Sequence, residues 1–172
     1  GRSKYELDEL EGSKSDFGRY LDFQPKDSDG HYWFGMSHLE LGEYQVALSD
    51  FTKAIELDST NAYAFVYRGS THNSLGDYQI AIPDFEKALR LDPKNSYAFT
   101  GRGISFQQLE NHRLAIEDFS RAIELDSLLT LAYFNRAVSE EKLDDYLTAM
   151  NDYSKAIEID SNYSEAYSGR GN

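Results

Sequence analysis

The sequence predicts an all-α solenoid, a stack of helix-turn-helix units with no single closed core. Three observations carry this. LGEYQVALSDFTKAIELDS, LGDYQIAIPDFEKALRLDP, LENHRLAIEDFSRAIELDS and LDDYLTAMNDYSKAIEIDS superpose without a gap at a period of 34 residues, and a period of that size marks stacked supersecondary units. Within one period, Phe65, Gly69 and His72 follow spacings of three and four. After a break at Leu75-Gly76-Asp77, so do Tyr78, Ala81, Ile82, Phe85, Ala88 and Leu89, which gives two helices per unit. Small residues also recur in fixed places, Gly35, Gly69, Gly103 and Ala137 in the first helix and Ala47, Ala81, Ala115 and Ala149 in the second. They let two helix backbones approach closely, while Phe51, Phe85, Phe119 and Tyr153 fill the layer between units.

Taken in order, residues 1–27 form an N-terminal segment. Extending the period backwards sets Asp16-Phe17 where later units have Asp50-Phe51 and Asp84-Phe85. A degenerate helix near residues 15–23, capping the first full unit, is therefore expected, preceded by a polar leader. The full units run 28–61, 62–95, 96–129 and 130–163. Residues 164–172 open a fifth unit that stops inside its first helix, so the sequence reads as a piece of a longer array. Pro83 falls inside a second helix, where it removes a backbone donor and crowds the preceding turn. A kink or loosened turn is expected there.

Composition narrows the function. Of 172 residues, 30 are acidic and 17 basic, a formal charge of −13. Such a field repels phosphate backbones and anionic lipid heads, so neither nucleic acid nor a membrane is the expected partner. There is no apolar run long enough to span a bilayer and no signal-peptide core, which predicts a cytoplasmic or nuclear chain. The absence of cysteine removes thiolate metal sites and disulfides. His38 and His72 occupy the place of Phe106, and His112 that of Tyr44, Tyr78 and Tyr146. The four histidines are thus packing variants, and no metal, cofactor or catalytic site is expected. Gly101-Arg102-Gly103 lies inside a predicted helix without a preceding strand, so it is no phosphate loop.

The same frame shows two charged series, Asp50, Asp84, Asp118 and Asp152, and Arg68, Arg102, Arg136 and Arg170. Pairing each Asp with the Arg of the following unit leaves no orphan, whereas pairing within units strands Asp50 and Arg170. Inter-repeat bridges that fix the angle between units are expected.

The repeated pattern resembles the tetratricopeptide repeat over residues 28–163. The resemblance implies a right-handed superhelix with a concave groove lined by the first helices, acting as a non-catalytic protein-interaction scaffold. Carried over by register, that groove comprises Tyr32, Trp33, Met36, Tyr63, Val66, Tyr67, Tyr97, Gly101, Ile104, Phe134 and Asn135. Charge is nearly absent from it, which suits a peptide with apolar or aromatic side chains, from a partner or from missing parts of its own chain. Gly101 would leave a notch for close approach of a ligand backbone. Chaperone-binding members hold a C-terminal carboxylate with Lys, Asn and Arg. The corresponding positions here, Tyr32, Met36, Tyr67, Tyr97 and Gly101, or one unit later Val66, Ser70, Gly101, Leu131 and Asn135, contain no cation, which speaks against chaperone tails. The asparagine ladder of O-linked N-acetylglucosaminyltransferase is matched only at Asn135. Two other readings stay open, a structural subunit that stacks through its terminal repeats, and the regulatory repeats of a larger enzyme.

Overall fold

The computed structural model describes residues 4–171, and among them there are ten helices and no strand. They are α1 (Lys4–Phe23), α2 (Ser28–Glu40), α3 (Tyr44–Leu57), α4 (Ala62–Leu75), α5 (Tyr78–Leu91), α6 (Ser96–Gln108), α7 (His112–Leu125), α8 (Thr130–Glu141), α9 (Tyr146–Ile159) and α10 (Ser164–Gly171). No helix among the described residues is long and apolar enough to cross a membrane. The chain divides into two compact units, Gly1–Leu91 with α1 to α5 and Asp92–Asn172 with α6 to α10. In each, every helix packs on the next along the chain.

Helix ends follow from local chemistry. Asp27, Asn61 and Asn95 cap α2, α4 and α6, their side chains accepting from the backbone of Gly30, Ala64 and Ala98 at 2.9, 3.1 and 3.0 Å. Each satisfies one of the donors a helix start leaves open. The tight turns close alike: the N–H of Glu43, Asp77, Asn111 and Asp145 donates to the carbonyl of His38, His72, Phe106 and Glu140. This closure needs a left-handed residue just before the donor. Gly42 and Gly76 supply it in the first unit at φ 78° and 83°, and Glu110 and Asp144 in the second at 61° and 63°.

Between helices, small meets large. Phe51, Phe85 and Phe119 are fully buried, and each leaves no room for a side chain on the first helix of its pair. A Cβ added at Gly35, Gly69 or Gly103 would meet the facing ring at 2.9, 3.0 or 2.7 Å. In the second unit one core gathers Ala115, Phe119, Ala122 and Ala132, and another Ala137, Ala149, Tyr153, Ala156 and Ala166.

Two expectations change. The first helix begins at Lys4, well before residue 15, because Lys4 to Ser13 is rich in good helix formers and holds only one glycine. It packs on α2 through Tyr20 and Leu21, whose side chains stand 2.9 Å from where a Cβ of Gly30 would be. Pro83 interrupts nothing: α5 runs as one helix through it, with the proline exposed.

The Asp-Arg bridges are also corrected. Arg68 donates to Asp84 from Nε at 2.8 Å and Nη2 at 2.6 Å, Arg102 to Asp118 at 2.8 and 2.8 Å, and Arg136 to Asp152 at 2.5 and 2.8 Å. All three pairs lie within one helix hairpin, 16 residues apart. The reason is geometric. In an antiparallel hairpin, residues equidistant from the turn lie side by side, and Gly76, Glu110 and Asp144 are the midpoints of these pairs. Asp50, mirrored about Gly42 by Phe34, is instead bonded by His38 one helical turn further on, at 2.7 Å. Arg170 rests over the Tyr167 ring at 5.6 Å. The guanidinium does reach the preceding unit, but by a hydroxyl: Arg68 donates to Thr52 at 3.3 Å and Arg136 to Ser120 at 3.0 Å. Each Arg also lies over the aromatic ring three residues before it, Phe65, Phe99 or Tyr133.

Candidate interaction surface

In the first unit, α2 and α4 place an aromatic group on one another. The Tyr32 ring stands edge-on to Trp33, centroids 5.0 Å apart, and edge-on to Tyr67 at 5.8 Å. Tyr67 stacks in turn on the buried Phe51 at 6.1 Å. Such offset and edge contacts suit the charge distribution of aromatic rings. Burial, with Tyr67 and Tyr63 beside it, pushes the Tyr32 hydroxyl well above the ordinary tyrosine range, so the group stays a neutral donor. Beyond this supported layer, Trp33 and Tyr63 are 50% and 52% exposed, and Met36 is half-buried. Val66 is not part of the surface. It is 2% exposed because it lies one residue off the outward stripe of α4.

In the second unit, Tyr97 is 59% exposed and Leu131 is exposed with it. Asn135 spends its amide on the carbonyl of Leu131 at 2.8 Å, one turn back, and its own carbonyl takes the amide of the buried Gln107 at 2.8 Å. Ile104 packs against the core around Phe119. Phe134 packs on Tyr153 and Tyr163 at 5.8 and 5.2 Å, so much of its ring serves cohesion. Gly101 is buried and offers no notch to a ligand backbone.

The electrostatics of both strips are sparse. On α2 and α4 the only Lys or Arg is Arg68, held by Asp84. On α6 and α8 they are Arg102 and Arg136, held by Asp118 and Asp152. Among the described residues, no group of three His, Asp or Glu stands close enough to hold a metal ion.

Two charged arrangements are not legible in the sequence pattern. His38 reads as a packing variant, yet it bonds Asp50, whose carboxyl burial pushes above its usual range and whose contact with His38 pulls back. The signal is Phe34 standing where later units have Arg. Glu140 occupies the position of His38, His72 and Phe106 and is buried, with Oε1 3.9 Å from Arg136 Nε and Oε2 without a hydrogen-bond partner. Burial and the neighbouring Asp152 carboxylate push its pKa up to about 7, against the pull of Arg136.

Known proteins share this architecture. The profile of the ETO1 C-terminal domain family matches residues 26–169. No curated protein matches. TTC0263, a thermophilic TPR protein of Thermus thermophilus, superposes with a TM-score of 0.80 at 18% identity, over 97% of this chain and 91% of its own. YrrB, described as a TPR protein with an unusual peptide-binding site, gives 0.76 at 20% identity, over 98% and 87%. The first TPR of Spaghetti (RPAP3), solved with the HSP90 peptide SRMEEVD, gives 0.64 at 27% identity, over 66% and 90%. The fold is that of the tetratricopeptide repeat, as the sequence pattern implies.

Proposed function

The chain belongs to the ETO1 C-terminal domain family, and from there we propose that it is a non-catalytic interaction module holding a peptide segment of a partner protein against its first helices. The carrying observation is the half-exposed Trp33, edge-on to a Tyr32 ring that rests in turn on Tyr67 and Phe51, with the exposed Tyr63 near Tyr32. Large rings kept half in water on a packed support give contact area at little further cost in ordering, as binding hot spots do. The repeats 28–61 and 62–95 would supply this strip in the first unit, and within the second unit, in repeats 96–129 and 130–163, Tyr97, Leu131 and Asn135 would supply one of its own. A peptide with apolar or aromatic side chains suits a strip whose only arginines are already paired. The acidic tail held by the RPAP3 repeat suits it poorly, since a carboxylate needs free cations. Affinity in the micromolar range, roughly −8 kcal/mol, is ordinary for such a segment.

Peptide-display selection on the parent and on a Trp33→Glu, Tyr63→Glu variant tests this. Both side chains are half exposed, so the variant keeps its helical circular dichroism. A motif enriched on the parent and lost on the variant supports the reading, and equal enrichment on both refutes the site.

A further inference from the structure

A second site follows from what the first repeat lacks. Arg68, Arg102 and Arg136 each hold the aspartate of their own hairpin through two nitrogens and lie over the ring three residues back. In the hairpin of α2 and α3 the aspartate, Asp50, remains, but Phe34 stands in the place of the arginine. The Phe34 ring turns to α1, 3.6 Å from where a Cβ of Gly18 would be, and lies 4.3 Å from the His38 ring. It gives Asp50 no donor. His38 Nδ1 meets Asp50 Oδ2 at 2.7 Å, and no hydrogen bond reaches Oδ1 among the described residues. A carboxylate 13% exposed is thus left with an oxygen that its counterparts Asp84, Asp118 and Asp152 spend on a guanidinium, the strongest kind of partner open to it.

Asp50 lines a hollow of about 550 Å3, together with His31, Ser49, Thr52, Lys53 and Glu56, a volume within the range of ligand sites, about 300–1,000 Å3. His31 stands at the register of Phe65, Phe99 and Tyr133, the rings that lie under the three guanidinium groups. Its Nε2 donates to the Pro25 carbonyl at 3.1 Å, which holds the ring on that wall. The cations nearby are spent elsewhere. Lys53 bonds Glu56 at 3.1 Å at the exposed rim. Arg68 touches Thr52 at 3.3 Å but belongs to Asp84. Behind Asp50, His38 also approaches Glu43 at 3.5 Å, and Glu43 takes Lys14 at 3.0 Å. What the hollow offers a ligand is a carboxylate, two hydroxyls and an aromatic ring, and a guanidinium, with five donors and no acceptor, is the side chain that complements them. We propose that this hollow takes an arginine side chain of a partner protein, its guanidinium on Asp50 with Ser49 and Thr52 and against the His31 ring, restoring from outside the pair that the other three hairpins make within.

The test titrates the full chain, labelled with nitrogen-15, with N-acetyl-arginine amide and follows the backbone amide signals. Those of Ser49, Asp50 and Thr52 should shift saturably, with a Kd of about 1 mM, as befits a single side chain. The citrulline analogue has the same shape without the charge and should bind about fivefold more weakly, as should the arginine probe to Asp50→Asn. Glu56→Gln, at the rim, should change the Kd by less than about twofold. Circular dichroism checks that each variant folds, and the citrulline comparison decides the matter on the parent even where Asp50→Asn does not. Trp33→Glu with Tyr63→Glu should leave the shifts in place, so the result is independent of the groove. Absence of saturable shifts at Ser49, Asp50 and Thr52, equal binding of the citrulline analogue, or unchanged binding by folded Asp50→Asn would overturn the proposal.

Discussion

Replacing Asp84 with Ala removes the carboxylate that takes two hydrogen bonds from Arg68, at 2.8 and 2.6 Å. The side chains are 22% and 10% exposed, so the guanidinium left behind can be only partly rehydrated. Breaking a buried pair costs about 3–5 kcal/mol, and the partial access of Arg68 puts Asp84→Ala near the lower end, at about 3 kcal/mol. Arg68→Met should cost about as much, because it strands the less accessible carboxylate. With both removed no charge is left unpaired, and the double variant should cost about 3 kcal/mol where the sum of the singles is about 6. The coupling is then about 3 kcal/mol. Urea unfolding followed by far-UV circular dichroism measures all four corners. The same cycle on Arg68 and Asp50 is the control, since Asp50 belongs to His38, and it should be additive to within about 0.5 kcal/mol. A larger coupling of Arg68 to Asp50 than to Asp84 would refute the hairpin argument and restore the inter-repeat bridges.

Gly103→Ala should destabilise by about 1–2 kcal/mol despite alanine's better helix propensity, because the new methyl meets the Phe119 ring at 2.7 Å in a packed core. Thermal melting checks it, and relief by Phe119→Leu would identify the ring as the cause. Glu110→Gly should raise the melting temperature, stabilising by about 0.5–1 kcal/mol, since Glu110 sits at φ 61° where a side chain is strained and glycine is not. Glu140 gives a pH signature. Its pKa, raised from 4.5 to about 7, means the folded state binds the proton more tightly, so its contribution falls as pH rises through that window and is lowest above it. Glu140→Gln should therefore stabilise by about 2 kcal/mol against urea at pH 8 and change little at pH 4. An equal effect at both values would remove burial of the charge as the cause.

Much of this was legible from residue spacing. The period reappears in the starts of α2, α4, α6 and α8 at Ser28, Ala62, Ser96 and Thr130, whereas the Phe rings expected in the layer between units face the glycine of their own hairpin, at Gly35, Gly69 and Gly103. Counting partners failed for the Asp-Arg series, because it asked which pairing left no orphan when the mirror symmetry of a hairpin about its turn decides the matter. The orphan itself was the clue to His38. For the surface, register does not give the depth of each position: Val66 and Gly101 are buried under neighbours that only three-dimensional packing reveals.

The braced aromatic face of the first unit is where the peptide is proposed to sit. Trp33 is the sole tryptophan of the sequence and stands half exposed on that face, so its emission reports occupancy directly. Titrating the parent with a display-selected peptide lacking tryptophan should shift the emission to the blue and shield it from acrylamide, saturating at the affinity measured independently by calorimetry. Calorimetric binding that leaves Trp33 emission and quenching unchanged would contradict the account and place the peptide elsewhere.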